Sequence, residues 1–211
     1  MSASAVILAG GKSSRMGFNK AFATLNHKRI IEIQLEELCN YFSEVIIISN
    51  DPGLYSYLDV RVVADIIPGK GPLSGIHAGL VASSHEDCFI VPCDMPFVSG
   101  KMGKNLLDLA QDFDGAVPKV NSQLEPLCAV YKKTCIPAIE GCLGMDLRKV
   151  TDFYHCVNLR LVEINYLFEE TAKLFCNVNT SAELVEARLW AKKLLNDFQN
   201  QFQCANRERV R

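Results

Sequence analysis

The sequence has neither a long apolar run nor an excess of charge of one sign. No uninterrupted apolar stretch approaches the ~18 residues that a membrane-spanning helix needs, and the first residues, MSASAVILAGG, lack the basic segment that opens an export signal. With 22 Lys and Arg against 24 Asp and Glu, the net charge is −2. This balance argues against a general binder of nucleic acid or of membrane surfaces. Any anionic ligand must be met by a local group of cations.

The nine cysteines form no recognisable disulfide or metal-binding pattern. Their number is odd and no C-x-x-C pair occurs, so in the absence of an export signal we expect reduced thiols in a cytoplasmic protein. Cys128, Cys135 and Cys142 recur every seven residues, which is a tempting spacing for a metal site. The stretch crosses a predicted strand end and a segment containing Pro137, so we interpret these cysteines as small packing residues.

Several common catalytic patterns are also missing. His85-Glu86 lacks the second histidine of a zinc-binding H-E-x-x-H helix, and residues 71–75 (GPLSG) do not form the G-x-S-x-G turn of serine hydrolases. A Walker A motif fails because Val6 stands at its first glycine, and G-x-G-x-x-G fails because Lys12 replaces its second glycine. These absences argue against zinc and serine hydrolases and against the two best-known phosphate loops.

Short apolar runs alternate along the chain with amphipathic stretches. The runs predict strands near 5–9, 45–49, 61–64, 88–92, 115–118 and 126–131. The amphipathic stretches predict helices over 30–42, 74–83, 101–112 and 182–198. This alternation indicates an α/β fold with a mostly parallel sheet. We expect a single domain over residues 1–195 and a polar C-terminal tail over 196–211.

The loop after the first predicted strand is rich in glycine and in basic residues. Gly10 and Gly11 allow backbone N–H groups to approach an anion closely, and Lys12, Arg15 and Lys20 place three positive charges within nine residues. Ligands of such sheets bind beyond the carboxyl ends of the strands. Although a loop of this composition is often a plain turn, its position favours binding of a triphosphate.

Two carboxylates follow other predicted strands. Asp94 comes directly after residues 88–92, and Asp65 follows the strand-like segment 61–64. An isolated Asp before Pro96 is more typical of a turn. Two carboxylates at the edge that also carries a basic glycine loop favour a site for Mg²⁺ and phosphate. Residues 68–75 then enter a helix and suit either anion binding at its N-terminus or a flexible turn.

Taken together, these segments resemble the nucleotidyltransferase superfamily, and within it the molybdenum cofactor guanylyltransferase family. The resemblance is carried by Leu8-Ala9-Gly10-Gly11-x-Ser13-x-Arg15-Met16-Gly17-x-x-Lys20, Gly71-Pro72-Leu73-Ser74-Gly75-Ile76, Cys93-Asp94-Met95-Pro96-Phe97, Glu125-Pro126-Leu127 and Asn177-Val178-Asn179-Thr180. It implies a Rossmann-like, three-layer α/β/α domain. It also implies transfer of GMP from Mg·GTP to the terminal phosphate of molybdopterin, with release of pyrophosphate.

The resemblance also implies a role for individual residues. Arg15, Lys20 and Asp94 would be catalytic, with Asp94 as the Mg²⁺ ligand. The residues implied to bind GTP or the pterin are Leu8, Ala9, Gly10, Gly11, Lys20, Asn50, Asp65, Gly75, Asp94, Asn177 and Asn179. Arg148 or Lys149 would meet the phosphate of the pterin. Molybdoenzymes or their chaperones are the protein partners that this function implies.

Three alternatives stay open at this level. A cytidylyltransferase that acts on molybdopterin and a sugar-phosphate nucleotidyltransferase belong to the same superfamily. Gly10, where the cytidylyl relatives tend to carry Ala, favours a purine. A non-catalytic regulator that binds nucleotides would keep the loops but not the reaction, since a fold alone does not define an activity.

Overall fold

The computed structural model describes residues 2–10, 20–164 and 173–193. Within these residues the chain forms ten strands, four helices with both ends defined, and a fifth helix over residues 181–193, here α5. The strands are β1 Ser4–Leu8, β2 Thr24–Leu25, β3 Lys28–Arg29, β4 Glu44–Ile48, β5 Arg61–Val63, β6 Asp87–Pro92, β7 Gly115–Val120, β8 Gln123–Leu124, β9 Ala129–Lys132 and β10 Leu159–Ile164. The helices are α1 Ile30–Cys39, α2 Pro72–Ala82, α3 Gly100–Leu109 and α4 Ile136–Gly144.

The central sheet is mostly parallel, as the alternation of strands and helices predicts. Its described strands lie in the order β10-β7-β9-β6-β1-β4-β5, with β8 paired to β7. Strand β1 pairs in parallel with β4 and with β6, and β4 pairs in parallel with β5. Strand β9 is antiparallel to both β6 and β7. The carboxyl ends of β5, β4, β1 and β6 therefore meet along one edge of the sheet.

Helices cover both faces of the sheet, because side chains of a strand alternate between its two faces. In β1, Ala5 and Ile7 pack in the apolar cluster that contains α1 and α3. Val6 and Leu8 pack in the opposite cluster, which contains α2 and α4. All four side chains are buried. This arrangement confirms the three-layer α/β/α fold.

A third apolar cluster joins α5 to the rest of the domain. Leu184 and Ala187 of α5 pack there with Leu25 of β2 and Ile30 of α1. Thr180 and Glu183 form the N-terminal cap of α5: the Glu183 N–H donates to Thr180 Oγ1 over 3.2 Å, and the Thr180 N–H donates to Glu183 Oε2 over 2.8 Å. The predicted helix start near residue 182 is confirmed; its predicted end at 198 and the tail over 196–211 lie outside the described residues.

Several elements differ from the sequence prediction. The predicted strand 126–131 begins only at Ala129, because residues 125–128 form a turn in which the Cys128 N–H donates to the Glu125 carbonyl over 3.1 Å. Four further elements were not predicted. Strands β2 and β3 have only two residues each, which is too short to show a pattern. Edge strand β10 has no regular alternation of buried and exposed residues, and helix α4 carries Pro137 in its first turn.

The three regularly spaced cysteines pack in two different apolar clusters. Cys128 lies in the cluster with α1 and α3, whereas Cys135 and Cys142 lie in the cluster with α2 and α4. All three are buried, and no group of three or more His, Cys, Asp or Glu side chains suited to a metal occurs in the described part of the chain. Among these residues there is also no helix long and apolar enough to cross a membrane.

Candidate active site

The carboxyl edge of the parallel strands collects the polar residues singled out in the sequence. Gly10 lies just beyond β1, Asn50 beyond β4, Asp65 beyond β5 and Asp94 beyond β6. Because β1 lies between β4 and β6, these residues flank the start of the glycine-rich loop on both sides. This is the edge at which ligands of such sheets bind.

Asn50 and Asp65 form a reciprocal pair on one side of this edge. Asn50 Nδ2 donates to Asp65 Oδ2 over 2.9 Å, and the Asp65 N–H donates to Asn50 Oδ1 over 3.0 Å. Gly75 in the first turns of α2 lies against them: a Cβ there would be 3.2 Å from Leu8 Cδ2 and 3.8 Å from Asp65 Oδ1. The structure thus brings Leu8, Asn50, Asp65 and Gly75 into one cluster.

The backbone that leads into the glycine loop is held from three directions. The Ala9 N–H donates to the Ile48 carbonyl over 2.9 Å, and the Cys93 N–H donates to the Leu8 carbonyl over 3.1 Å. The Tyr55 hydroxyl donates to the Ala9 carbonyl over 3.4 Å. Tyr55 is buried and has no sequence signature that would have identified it. These contacts fix the direction in which the chain enters the loop at Gly10.

Lys20, Asp94 and Asn179 meet in the middle of the edge. Lys20 Nζ lies 3.3 Å from Asp94 Oδ2 and also donates a hydrogen bond to Asn179 Oδ1. The side chains of Lys20 and Asp94 are only 21% and 19% exposed, so their attraction is less screened than that of a surface pair. The Val178 N–H donates to the Asp94 carbonyl over 2.8 Å, which ties the segment before α5 to the end of β6.

The cap of α5 orients Asn179. Glu183 Oε2 accepts hydrogen bonds from the N–H groups of Asn179 and Thr180, over 2.7 and 2.8 Å. With its backbone held in this way, Asn179 extends its side-chain oxygen to Lys20. Asn177 lies two residues earlier on the same segment, and its side chain has no hydrogen-bond partner among the residues described. The contribution of Glu183 could have been found from the T-x-x-E spacing of a capping box.

The oxygens at this point suit a divalent cation. Asp94 supplies a carboxylate and Asn179 an amide oxygen, and both already bind the positively charged Lys20 Nζ. Mg²⁺ prefers such oxygen ligands, and in phosphate-handling sites it is bound by one or two carboxylates together with substrate phosphates. The donor set therefore fits Mg²⁺ bound with a phosphorylated substrate better than a metal caged by the protein alone.

The thiol of Cys93 lies beside this site, next to Asp94. Burial raises the pKa of Cys93 to about 12, and the neighbouring Asp94 carboxylate adds to the rise while Lys20 opposes it. A thiol with this pKa stays protonated at neutral pH. A protonated thiol is a poor nucleophile, so the raised pKa argues against a covalent intermediate on Cys93.

A separate ion cluster lies at the ends of two loops. Asp146 Oδ1 accepts from Lys70 Nζ in the loop before α2 and from Arg148 Nε over 3.2 Å, and Arg148 Nη2 also bonds both carboxylate oxygens at 3.1 Å. Hydrogen bonds from Lys70 and then from Arg148 lower the pKa of Asp146. Gly69 and Gly71 shape this loop with φ of +80° and +73°, values that favour glycine. Arg148 is therefore paired within the protein, and its role toward a pterin phosphate stays a prediction.

Two predicted site residues cannot be placed. Gly11 and Arg15 lie outside the described residues, as do Lys12 and the two serines that follow it. Their assignment to phosphate binding stays a prediction from the sequence. Leu8, Asn50, Asp65 and Gly75 lie in one cluster, and Lys20, Asp94 and Asn179 meet in a second. Lys149 lies in neither cluster, and its N–H donates to Asp152 Oδ2 over 3.0 Å.

Comparison with known proteins defines the family. A family profile described as the MobA-like NTP transferase domain matches residues 5–158. The chain belongs to this family. Among curated members, one from Pelotomaculum thermopropionicum, named probable molybdenum cofactor guanylyltransferase, is 41% identical over 199 residues, covering 91% of this chain and 95% of the relative. Another from Desulfosudis oleivorans, named molybdenum cofactor guanylyltransferase, is 33% identical over 186 residues, covering 86% and 92%.

Solved structures of the MobA-like family and its neighbours share the fold. Molybdopterin-guanine dinucleotide biosynthesis protein A from Archaeoglobus fulgidus superposes with a TM-score of 0.79 at 26% identity, covering 90% of this chain and 99% of that one. The 2-C-methyl-D-erythritol 4-phosphate cytidylyltransferase of Thermus thermophilus superposes with a TM-score of 0.67 at 18% identity, covering 89% and 98%. The latter similarity shows the fold alone. Membership of the MobA-like NTP transferase family makes the protein a nucleotidyltransferase.

Proposed function

We propose that the protein transfers GMP from Mg·GTP to the terminal phosphate of molybdopterin, releasing pyrophosphate and forming the guanine dinucleotide cofactor. The observation that carries the proposal is the meeting of Lys20, Asp94 and Asn179 at the edge where Cys93, next to Asp94, donates to the backbone of Leu8. This cluster offers a cation and oxygen ligands at one point of a nucleotide-binding edge. The named relatives support guanine as the base and molybdopterin as the acceptor.

The two sides of the edge suit two different substrates. The cluster of Leu8, Asn50, Asp65 and Gly75 would receive the nucleoside of GTP, with its triphosphate extending toward Lys20. The pterin would then approach from the segment that carries Asn177 and Asn179. Gly11 and Arg15 complete the phosphate contacts in this proposal.

The reaction needs charge neutralisation more than proton transfer. A terminal phosphate oxygen of molybdopterin attacks the α-phosphorus of GTP, a new P–O bond forms, and the bond to the leaving pyrophosphate breaks roughly in line. The nucleophile is already an anion at neutral pH, so no general base is required. Lys20 would offset the negative charges that must come together. Mg²⁺, held by Asp94 and the phosphates, supplies further positive charge when bound.

A nucleotide panel tests the choice of base. Binding of GTP, CTP, ATP and UTP with Mg²⁺ is measured by calorimetry for the wild type, for Asp94→Ala and for Asp108→Ala, a control at an exposed position of α3. We expect selective GTP binding that weakens in Asp94→Ala and not in the control. A preference for CTP would favour the cytidylyl alternative.

The complete reaction is tested with molybdopterin and GTP labelled at the α-phosphate. Label in the dinucleotide product, with one pyrophosphate released for each GMP transferred, is the expected result. Tight GTP binding without transfer would favour a non-catalytic regulator, and transfer to a sugar phosphate instead would favour the third alternative. Absence of binding to every nucleotide would contradict the proposal as a whole. Binding to a molybdoenzyme or its chaperone remains a separate prediction.

A further inference from the structure

Glu125 lies at the same edge of the sheet as Asp94. Strands β6 and β9 are antiparallel, and their last pair toward this edge is Ile90 with Ala129. Asp94 lies four residues beyond Ile90, and Glu125 lies four residues before Ala129. Because the strands are antiparallel, both segments extend from this last pair toward the same edge of the sheet. Glu125 is thus on the side of Asp94 away from β1, β4 and β5.

The backbone around Glu125 is fixed by three hydrogen bonds. The Glu125 N–H donates to the Pro118 carbonyl over 2.9 Å, and the Glu125 carbonyl accepts from the Cys128 N–H over 3.1 Å. The buried Tyr131 hydroxyl donates to the Pro126 carbonyl over 2.8 Å. A side chain carried by such a turn is preorganised, because the turn does not have to be ordered when a ligand binds.

The carboxylate of Glu125 has no partner in the described part of the structure. It is half-buried, yet it accepts no hydrogen bond and forms no ion pair there. Burial raises the pKa of Glu125, whereas hydrogen bonds lower the pKa of Asp114 and of Asp146. A half-buried carboxylate that no protein donor occupies can accept hydrogen bonds from a ligand.

The Glu125 carboxylate lies on the face of the sheet that carries the segment before α5. Burial raises the pKa of the Cys128 thiol, and the charge of Glu125 raises it further, so the two groups are close. Cys128 belongs to the apolar cluster against which Phe175 and Cys93 also pack. Phe175 is two residues from Asn177, so Glu125 and the asparagine segment lie on the same face of the sheet.

In the proposed function, the acceptor rather than the nucleotide would bind at this position. In the proposed function, GTP occupies the ends of β1, β4 and β5, and the reacting phosphates lie at Lys20 and Asp94. The edge beyond β6, where β9 begins, is the part left for the pterin.

We propose that Glu125 recognises the pterin ring by accepting hydrogen bonds from its 2-amino group and its N3–H. These two donors are adjacent on the ring and match the two oxygens of one carboxylate. The assignment rests on the proposed acceptor. It makes Glu125 a specificity residue for the acceptor, with no direct part in the transfer of GMP.

The experiment compares Glu125→Gln with Glu86→Gln. The first substitution keeps the shape of the side chain but replaces one acceptor oxygen with a donor; the second alters an exposed glutamate before β6, at the opposite edge of the sheet. Dissociation constants are measured by fluorescence titration for a pterin that carries a phosphate side chain and for the matching lumazine, in which oxygen replaces the 2-amino group. KM for molybdopterin and the dissociation constant of GTP are measured for the same proteins.

We expect the wild type and Glu86→Gln to prefer the pterin to the lumazine by roughly 10-fold or more, the scale for one hydrogen bond to a charged group. Glu125→Gln should lose this preference, since its amide matches the N3–H and the 2-oxygen of lumazine. KM for molybdopterin should rise by ~10-fold or more, while GTP binding stays unchanged. A merely structural role of Glu125 would not shift the choice between the two rings.

Retention of the wild-type preference and of KM by Glu125→Gln would overturn the inference, and so would weaker Mg·GTP binding with no change toward the pterin. The outcomes also separate this inference from the proposed function. A pterin preference that depends on Glu125, without transfer of GMP, would contradict the function but support the recognition. Transfer of GMP to molybdopterin, together with an unchanged pterin preference in Glu125→Gln, would support the function but contradict the recognition by Glu125.

Discussion

Asn50 and Asp65 hold each other through two hydrogen bonds that run in opposite directions between the ends of neighbouring parallel strands. The amide of Asn50 donates to the Asp65 carboxylate over 2.9 Å, and its oxygen accepts from the Asp65 N–H over 3.0 Å. One amide side chain, which has both a donor and an acceptor, is required for this arrangement. It fixes the direction of the Asp65 carboxylate beside the first turns of α2.

Asn50→Asp should disrupt this pair without unfolding the protein. The new carboxylate can still accept from the Asp65 N–H, but it cannot donate to the Asp65 carboxylate and repels it. We expect GTP to bind roughly 10-fold more weakly, on the scale of a lost hydrogen bond to a charged group. Calorimetric titration with Mg·GTP measures the effect, and Asn105→Asp on the exposed face of α3 is the matched control. Equal affinities for the two variants would contradict a nucleotide site at Asn50.

Lys20→Ala should lower turnover by ~10²-fold or more, the scale for losing one preorganised electrostatic contact. Lys20 is the described cation that lies between Asp94 and Asn179, so its loss leaves the charge of the reacting phosphates less well compensated. Lys28→Ala removes another lysine, which pairs with Glu36 at 2.7 Å on the surface. Steady-state rates of dinucleotide formation should be nearly normal in this control. Near-normal turnover in Lys20→Ala itself would remove Lys20 from the catalytic residues.

Two glycines in helices should respond to alanine in opposite directions. A Cβ at Gly79 of α2 would lie 2.5 Å from Val6 Cγ1 of β1, whereas a Cβ at Gly141 of α4 would meet no atom within 4 Å. We expect Gly79→Ala to lower the free energy of unfolding by about 1–3 kcal/mol through overpacking. Gly141→Ala should raise it by about 0.5–1 kcal/mol, because alanine is the better helix former. Urea unfolding of both variants measures the two changes; a Gly79→Ala variant as stable as the wild type or more so would argue against the close packing of α2 on β1.

Glu125→Gln should affect stability in a manner that depends on pH. Burial raises the pKa of Glu125 in the folded protein above the ordinary value of 4.5, so the folded state binds a proton more readily than the unfolded state. Its carboxylate therefore destabilises the fold increasingly as the pH rises from that ordinary value through the raised one. The melting temperature of Glu125→Gln relative to wild type should be higher at about pH 7 than at about pH 4. A difference that does not change with pH would show that the carboxyl is not desolvated.

Much of the sheet and of the polar edge at the carboxyl ends of its parallel strands follows from the sequence. Runs such as Val45–Ile48 lie between two layers of helices, and this burial on both faces requires continuous apolar side chains. The glycine-rich entry after β1 and the carboxylates Asp65 and Asp94 follow from the order of strands and loops. These features are local: each depends on a few consecutive residues and on the rule that parallel strands end at one edge.

The tertiary structure alone decided which distant residues meet. Asn179 is 159 residues from Lys20, and its contact depends on the cap at Glu183 and on the packing of α5 against the hairpin β2–β3. The partners of Asn50 and the position of Tyr55 depend likewise on which strands are neighbours. In the sequence, Glu125 belongs to the Glu125-Pro126-Leu127 segment of the family resemblance but has no assigned role; the role proposed for it depends on its position beside Asp94 in the fold. Sequence patterns report local periodicity, whereas hydrogen bonds and desolvation depend on distances in space that the chain order does not encode directly.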